Sequence, residues 1–260
     1  MHTVEKKNTE FGKNVRDQDP DFGVTPLSNV LLRTSNAVRY ISEFLSFDEE
    51  IVAQLGKLTG MSYCPDKKNK RGRKVFSLNG CNHSNMEQSA PKGYYFYWCF
   101  YRGKARHQTT PFSAYGLGFE VLMMGITALI ELGNNIRWGG YMLGMDSFYT
   151  SIPVILQLAY WHIKAIGTVN ATRKGLGKKF VDMKKELKKD YNGKGRKNTM
   201  TGGYEKGFYK SRTVDGEPLV AIAQKDSKVL MYLTNFVPTT SKAIVNRYDK
   251  ESKKSVPVEF

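Results

Sequence analysis

Two aspartates stand where a strand would ordinarily keep apolar residues. Asp48 interrupts Phe44-Leu45-Ser46-Phe47-Asp48-Glu49-Glu50-Ile51-Val52, a run that is apolar, then acidic, then apolar again, and Asp146 ends Tyr141-Met142-Leu143-Gly144-Met145. Carboxylates that converge from neighbouring strands can hold paired Mg²⁺ ions ~4 Å apart, which activate an attacking oxygen and stabilise a leaving one in phosphodiester chemistry. A strand-end aspartate is also an ordinary solvated residue or a helix cap. The metal reading therefore depends on the two strands being neighbours.

The elements that would position these acids follow from hydrophobic periodicity. Strands are predicted at Phe44–Val52, at Arg73–Leu78 after a Lys-rich link, and at Tyr94–Tyr101 after a polar loop, and their close spacing predicts an antiparallel meander. Phe119, Leu122, Met123, Ile126, Leu129 and Ile130 recur at helical spacing over about Gly118–Leu132, a crossover to the strand that ends at Asp146. Strands reached through a helix are usually parallel to their neighbours. A helix opens at Thr150-Ser151, where a hydroxyl can cap free amides and Pro153 fits the first turn, and Ile163–Val169 is a fifth strand. The order βββαβαβ is that of a ribonuclease-H-like sheet. The fold class is α/β, a ribonuclease-H-like mixed sheet with helices plus a small inserted all-β unit built from Phe208–Thr213, Leu219–Gln224 and Val229–Phe236. Three divisions are expected: a flexible segment 1–27, a core 28–170, and a basic linker helix with a β insertion over 171–260.

Forty Lys and Arg against 24 Asp and Glu, a net charge of +16, favour a polyanionic partner, because neutralising phosphates releases condensed counterions. Residues 173–197 concentrate that surplus, with eleven basic and three acidic side chains. Phe180, Met183 and Leu187 form an apolar stripe there, and lysines crowd the rest of the predicted helix. Arg173, Lys174, Lys178 and Lys179 are the candidate phosphate contacts; a solvated surface helix has the same pattern. The aromatics cluster in a core strand instead of alternating with Arg, which disfavours an RNA-binding module. Cys64, Cys81 and Cys99 are odd in number without a close pair, which fits a reducing compartment. Cys81 and His83 lack a matching second ligand pair, so no zinc is expected. The polar N-terminus is unlike a signal peptide. The most apolar stretch, Tyr115–Leu132, carries Glu120 and Glu131, so no membrane span is expected.

Several motifs, in order and with sensible spacing over residues 40–258, resemble the piggyBac family of DDE transposases. Leu45-Ser46-Phe47-Asp48-Glu49 followed by Gly56-Lys57 is similar to the family's first catalytic Asp-Glu and nearby Gly-Arg. Tyr63-Cys64-Pro65-Asp66-Lys67-Lys68 and then Gly72-Arg73-Lys74-Val75-Phe76 is similar to its proline-lysine stretch and Gly-x-Lys. Asp146-Ser147-Phe148-Tyr149-Thr150-Ser151 resembles the segment at its second catalytic Asp, with Ser147 in place of the family's Asn. Gly167-Thr168-Val169 with Arg173-Lys174-Gly175-Leu176 resembles the join to the inserted β domain, and Asn246-Arg247-Tyr248-Asp249-Lys250 with Val256-Pro257-Val258 resembles its exit.

The resemblance implies a metal-dependent core that cuts and joins DNA through hairpins at TTAA targets, with Asp48 and Asp146 as catalytic, Mg²⁺-binding residues. It implies DNA as partner, a homodimer, no small-molecule cofactor and a nuclear location, for which Lys67–Lys74 is a candidate import signal. In the family, a further segment after the β domain supplies the remaining aspartates. This chain reaches Phe260 before such a segment, and two carboxylates are too few for two Mg²⁺ ions, so impaired catalysis is expected. Two alternatives stay open: an active enzyme completed by Glu49, Glu50 or a partner chain, and a domesticated, non-enzymatic DNA- or chromatin-binding protein.

Overall fold

A computed structural model describes residues 21, 23–53, 61–65, 67, 69–81, 91–103, 111–132, 140–189, 209–213, 216–225, 228–236, 244–249 and 254–259. They fall into two compact units, Met1–Gly144 and Met145–Phe260.

The first unit contains helix α1 (Thr25–Val38), strands β1 (Phe44–Ala53), β2 (Met61–Tyr63), β3 (Arg71–Gly80) and β4 (Tyr95–Phe100), and helix α2 (Leu117–Glu131). It also holds the first three residues of β5 (Met142–Met145). The strand order is β2-β3-β1-β5, with β4 also paired to β3. β1 and β3 are antiparallel in a register that sets Asp48 opposite Ser77, and β3 and β4 are antiparallel as well. This is the meander expected from spacing. β2 joins it by pairing Met61–Tyr63 with Arg71–Arg73, inside what the sequence suggests is only a link; three residues are too few to display a period.

α2 is helical because its apolar residues recur on one face, and Phe119, Leu122, Met123, Ile126 and Leu129 are buried there. Each such burial contributes about 1.5–3 kcal/mol. A Cβ on Gly125 would lie 3.0 Å from the Tyr97 ring and 3.2 Å from Phe47, so a glycine here lets the helix sit directly on the strands.

Helix α1 takes in the last three residues of the segment expected to be flexible, and residues 1–20 lie outside the described ones. Polar contacts attach it. Ser28 Oγ accepts from Trp98 Nε1, Asn36 Nδ2 donates to the Phe96 carbonyl, and Ser35 O accepts from Tyr94 Oη. No residue of α1 is buried, and Leu27 and Val38 are both 62% exposed. A helix held by hydrogen bonds has no apolar stripe facing the core, which is why periodicity does not reveal it. Just ahead of it, buried Asp21 forms ion pairs with Arg73 and Arg102, and Arg73 lies over the Phe100 ring.

The second unit continues from Met145 with α3 (Ile152–Tyr160), β6 (Lys164–Thr168), α4 (Lys178–Lys189), β7 (Tyr209–Thr213), β8 (Val220–Lys225), β9 (Val229–Thr234), β10 (Ile244–Asp249) and β11 (Lys254–Glu259). The order is β6-β9-β8-β7, and β10 and β11 form a separate antiparallel pair. The β7, β8 and β9 segments read as a small β unit of their own. In the fold, β9 instead pairs antiparallel with β6, Ile166 opposite Thr234 and Thr168 opposite Tyr232. Asn235 fastens that seam: its Oδ1 accepts from Ala165 N (2.7 Å) and its Nδ2 donates to Ile163 O (2.8 Å). α4 buries Phe180, Met183 and Leu187, as its stripe predicts, in contact with β8 and β9.

α3 ends in a paired-carbonyl cap. His162, at φ 57°, donates to Ala159 O, and Ile163 N donates to Leu158 O. Its start corrects one expectation. Ser151 occupies the N-cap position but makes no side-chain cap bond, and the hydroxyl of Thr150 is committed to the turn described below.

Candidate metal centre and basic surface

β1 sets the first acid. Its residues alternate, with Leu45, Phe47 and Ile51 buried on one face, and Asp48 is exposed on the other. Asp48 Oδ1 accepts the Glu49 backbone N–H at 2.7 Å, which leaves its second oxygen for a ligand. Glu49 falls on the buried face, where Lys67 and Lys74 each place an ammonium 3.8 Å from its Oε1. Glu50 is turned elsewhere: its Oε1 accepts from Tyr95 Oη at 2.9 Å. Burial, and then this bond to Glu50, pushes the Tyr95 phenol above its ordinary pKa.

A turn sets the second acid. Asp146 follows the buried Met145 at the end of β5, and its Oδ1 accepts the Phe148 N–H at 2.8 Å, an Asx turn. The Asp146 carbonyl accepts both the backbone N–H (3.1 Å) and the hydroxyl (2.7 Å) of Thr150. Thr150 and Tyr149 are buried beneath the turn. From β6, Gly167 backs it: a Cβ there would overlap Thr150 Oγ1 and lie 2.7 Å from Met145 Cγ. The sequence motif Asp-Ser-Phe-Tyr-Thr thus has a physical reading. The acid closes the turn, the aromatic anchors it, and the threonine ties its start to its end.

β5 runs beside β1 within the first unit, where Met142 N donates to Glu43 O at 2.8 Å, and Asp146 follows two residues after Gly144. Asp48 and Glu49 are adjacent acids on β1, and Asp146 directly follows β5, the neighbour of β1 in the strand order. Carboxylate oxygens are hard donors of the kind that a divalent ion such as Mg²⁺ takes. Of the two acids on β1, Asp48 is the better-placed donor, since Glu49 is already partnered by two lysines and starts from the opposite face of the pleat.

The basic residues divide. Lys174, Lys178 and Lys179 are exposed, the latter two opening α4. Arg173 is half-buried, and its guanidinium donates to the carbonyls of Ser147 and Phe148, the latter at 2.8 Å. Residues 190–197 lie outside the described residues. In the proposed import run, Arg71–Lys74 are part of β3. The roles of Arg173, Thr150 and Gly167 in the Asp146 turn are not legible in the sequence. A glycine inside a strand is the one local signal that points there, since it marks a close approach of another chain segment.

No described helix is long and apolar enough to cross a membrane. The family profile described as Transposase IS4, of the DDE type, matches residues 6–259. Among solved structures, the chain is similar to one titled as the cryo-EM structure of a piggyBac transposase synaptic complex with hairpin DNA. The TM-score is 0.59 at 19% sequence identity, over 94% of this chain and 42% of that one. The chain thus spans less than half of that transposase. Comparison with curated proteins finds no match. The α/β core therefore has the ribonuclease-H-like architecture of the piggyBac catalytic fold, and the chain belongs to the IS4 family of DDE transposases.

Proposed function

We propose that these residues carry two ligands of a metal-dependent DNA-cutting site, Asp48 and Asp146, and bind the DNA backbone through Lys174, Lys178 and Lys179. The observation that carries this reading is that each acid is held by a backbone N–H, Asp48 by that of Glu49 on β1 and Asp146 by that of Phe148 just after β5, the neighbour of β1 in the strand order. A divalent cation bound there would supply Lewis-acid polarisation of a phosphodiester and a more acidic attacking water. The chain's own part is to hold the two carboxylates at hydrogen-bonded positions and to bring phosphates near by charge. The family, and the hairpin DNA in the structural relative, support DNA as the partner in this proposal, which also takes the protein to be a nuclear homodimer.

Two aspartates alone would hold an ion weakly, and a single weakly held ion does not stabilise both the attacking and the leaving oxygen. The test is Mn²⁺- or Mg²⁺-dependent nicking of a labelled DNA end bearing TTAA, comparing the wild type with Asp48→Asn and Asp146→Asn. Nicking lost in both variants assigns an active enzyme with a further ligand, Glu49 first. DNA binding without nicking, unaffected by either change, assigns a non-enzymatic DNA-binding protein, a reading favoured by the exposed lysines of α4.

A further inference from the structure

We infer that Arg173 is a positioning residue for the Asp146 carboxylate and not a phosphate contact. The inference rests on the metal reading above and on contacts inside the second unit. Arg173 comes 26 residues after Ser147, beyond α3 and β6, yet its terminal nitrogen donates to two successive carbonyls, of Ser147 and Phe148. Those carbonyls flank the Phe148 N–H, and that N–H is the donor that fixes Asp146 Oδ1. With Arg173 in place, the peptide unit carrying the donor has one orientation. Without it, Ser147 O and Phe148 O lose a charge-assisted partner, and the peptide is free to turn its N–H away from the carboxylate. Below the turn, Thr150 and Gly167 leave no room for a compensating shift. A guanidinium spent in this way offers little to a phosphate, whereas the adjacent Lys174 is exposed.

Arg173→Lys is the informative variant, because it keeps the charge while shortening the side chain and removing the planar fork. Its Mn²⁺ affinity, read by electron paramagnetic resonance on the whole chain, is expected to fall about tenfold, the effect of losing an outer-shell partner. Amide exchange at Phe148 is expected to quicken, and the salt slope of DNA binding to stay at its wild-type value. Arg173→Ala should behave alike. Lys174→Ala marks the phosphate-contact outcome, a slope shallower by about 1. Wild-type Mn²⁺ affinity in Arg173→Lys, or a slope in Arg173→Ala as shallow as in Lys174→Ala, overturns the inference and leaves the metal reading standing. Failure of the wild type to bind Mn²⁺, or binding unaltered in Asp146→Asn, overturns the metal reading and this inference with it.

Discussion

The two aspartates are held by different means. Asp48 sits in the middle of a ten-residue strand, and its carboxylate takes one bond, from the next residue's N–H. Its position comes from the pleat and from the β1–β3 ladder. Asp146 lies in a turn with no ladder of its own, and it is fixed by Phe148, Thr150, Gly167 and Arg173, drawn from segments as far as 27 residues away. A strand places a side chain through many weak, repeated bonds, so single neighbours matter little. A turn places one through few bonds, so each neighbour matters.

The comparison yields graded predictions. The largest effect removes either carboxylate: Asp48→Asn and Asp146→Asn should each take Mn²⁺ binding below detection by electron paramagnetic resonance, and retained binding in one of them would leave the other as the sole anchor. Next is Gly167→Ala, whose Cβ has no space against Thr150. It should destabilise the chain by about 3 kcal/mol in urea unfolding and weaken Mn²⁺ binding together, and an unchanged midpoint would show that the turn is more yielding than its contacts imply. Asn235→Ala strips hydrogen bonds from the β6–β9 seam and should cost about 2 kcal/mol by the same measurement.

Glu49→Gln sharpens the contrast on the Asp48 side. If two aspartates are the ligands, Mn²⁺ affinity falls far less than the tenfold expected for Arg173→Lys; a larger loss makes Glu49 the third ligand. The smallest effect is at the end of α3, where His162→Gly relieves a left-handed residue and should stabilise by about 0.5–1 kcal/mol in thermal unfolding.

The candidate acids stand out in the residues alone. Asp48 and Asp146 each break an apolar run, and a charge in such a run is a local signal. The helices α2 and α4 are legible for the same reason, since Phe119 to Leu129 and Phe180 to Leu187 repeat at helical spacing along a single segment. α1 is not, because Ser28, Ser35 and Asn36 fix it through hydrogen bonds to residues some 60–70 positions away. Arg173 looks like one more member of a basic run, since composition does not distinguish a guanidinium facing solvent from one turned onto two carbonyls.

The sequence by itself determined what is written within a few residues: the periods of β1, β3, β4 and the helices, the placement of acids at strand positions, and the excess of positive charge. Tertiary structure decided which strand lies beside which, that β9 closes on β6, and that Arg173 serves the Asp146 turn. The physical reason is range. Periodicity records which face of one segment is buried, whereas pairing and side-chain partnership depend on contacts whose two halves lie far apart in the chain.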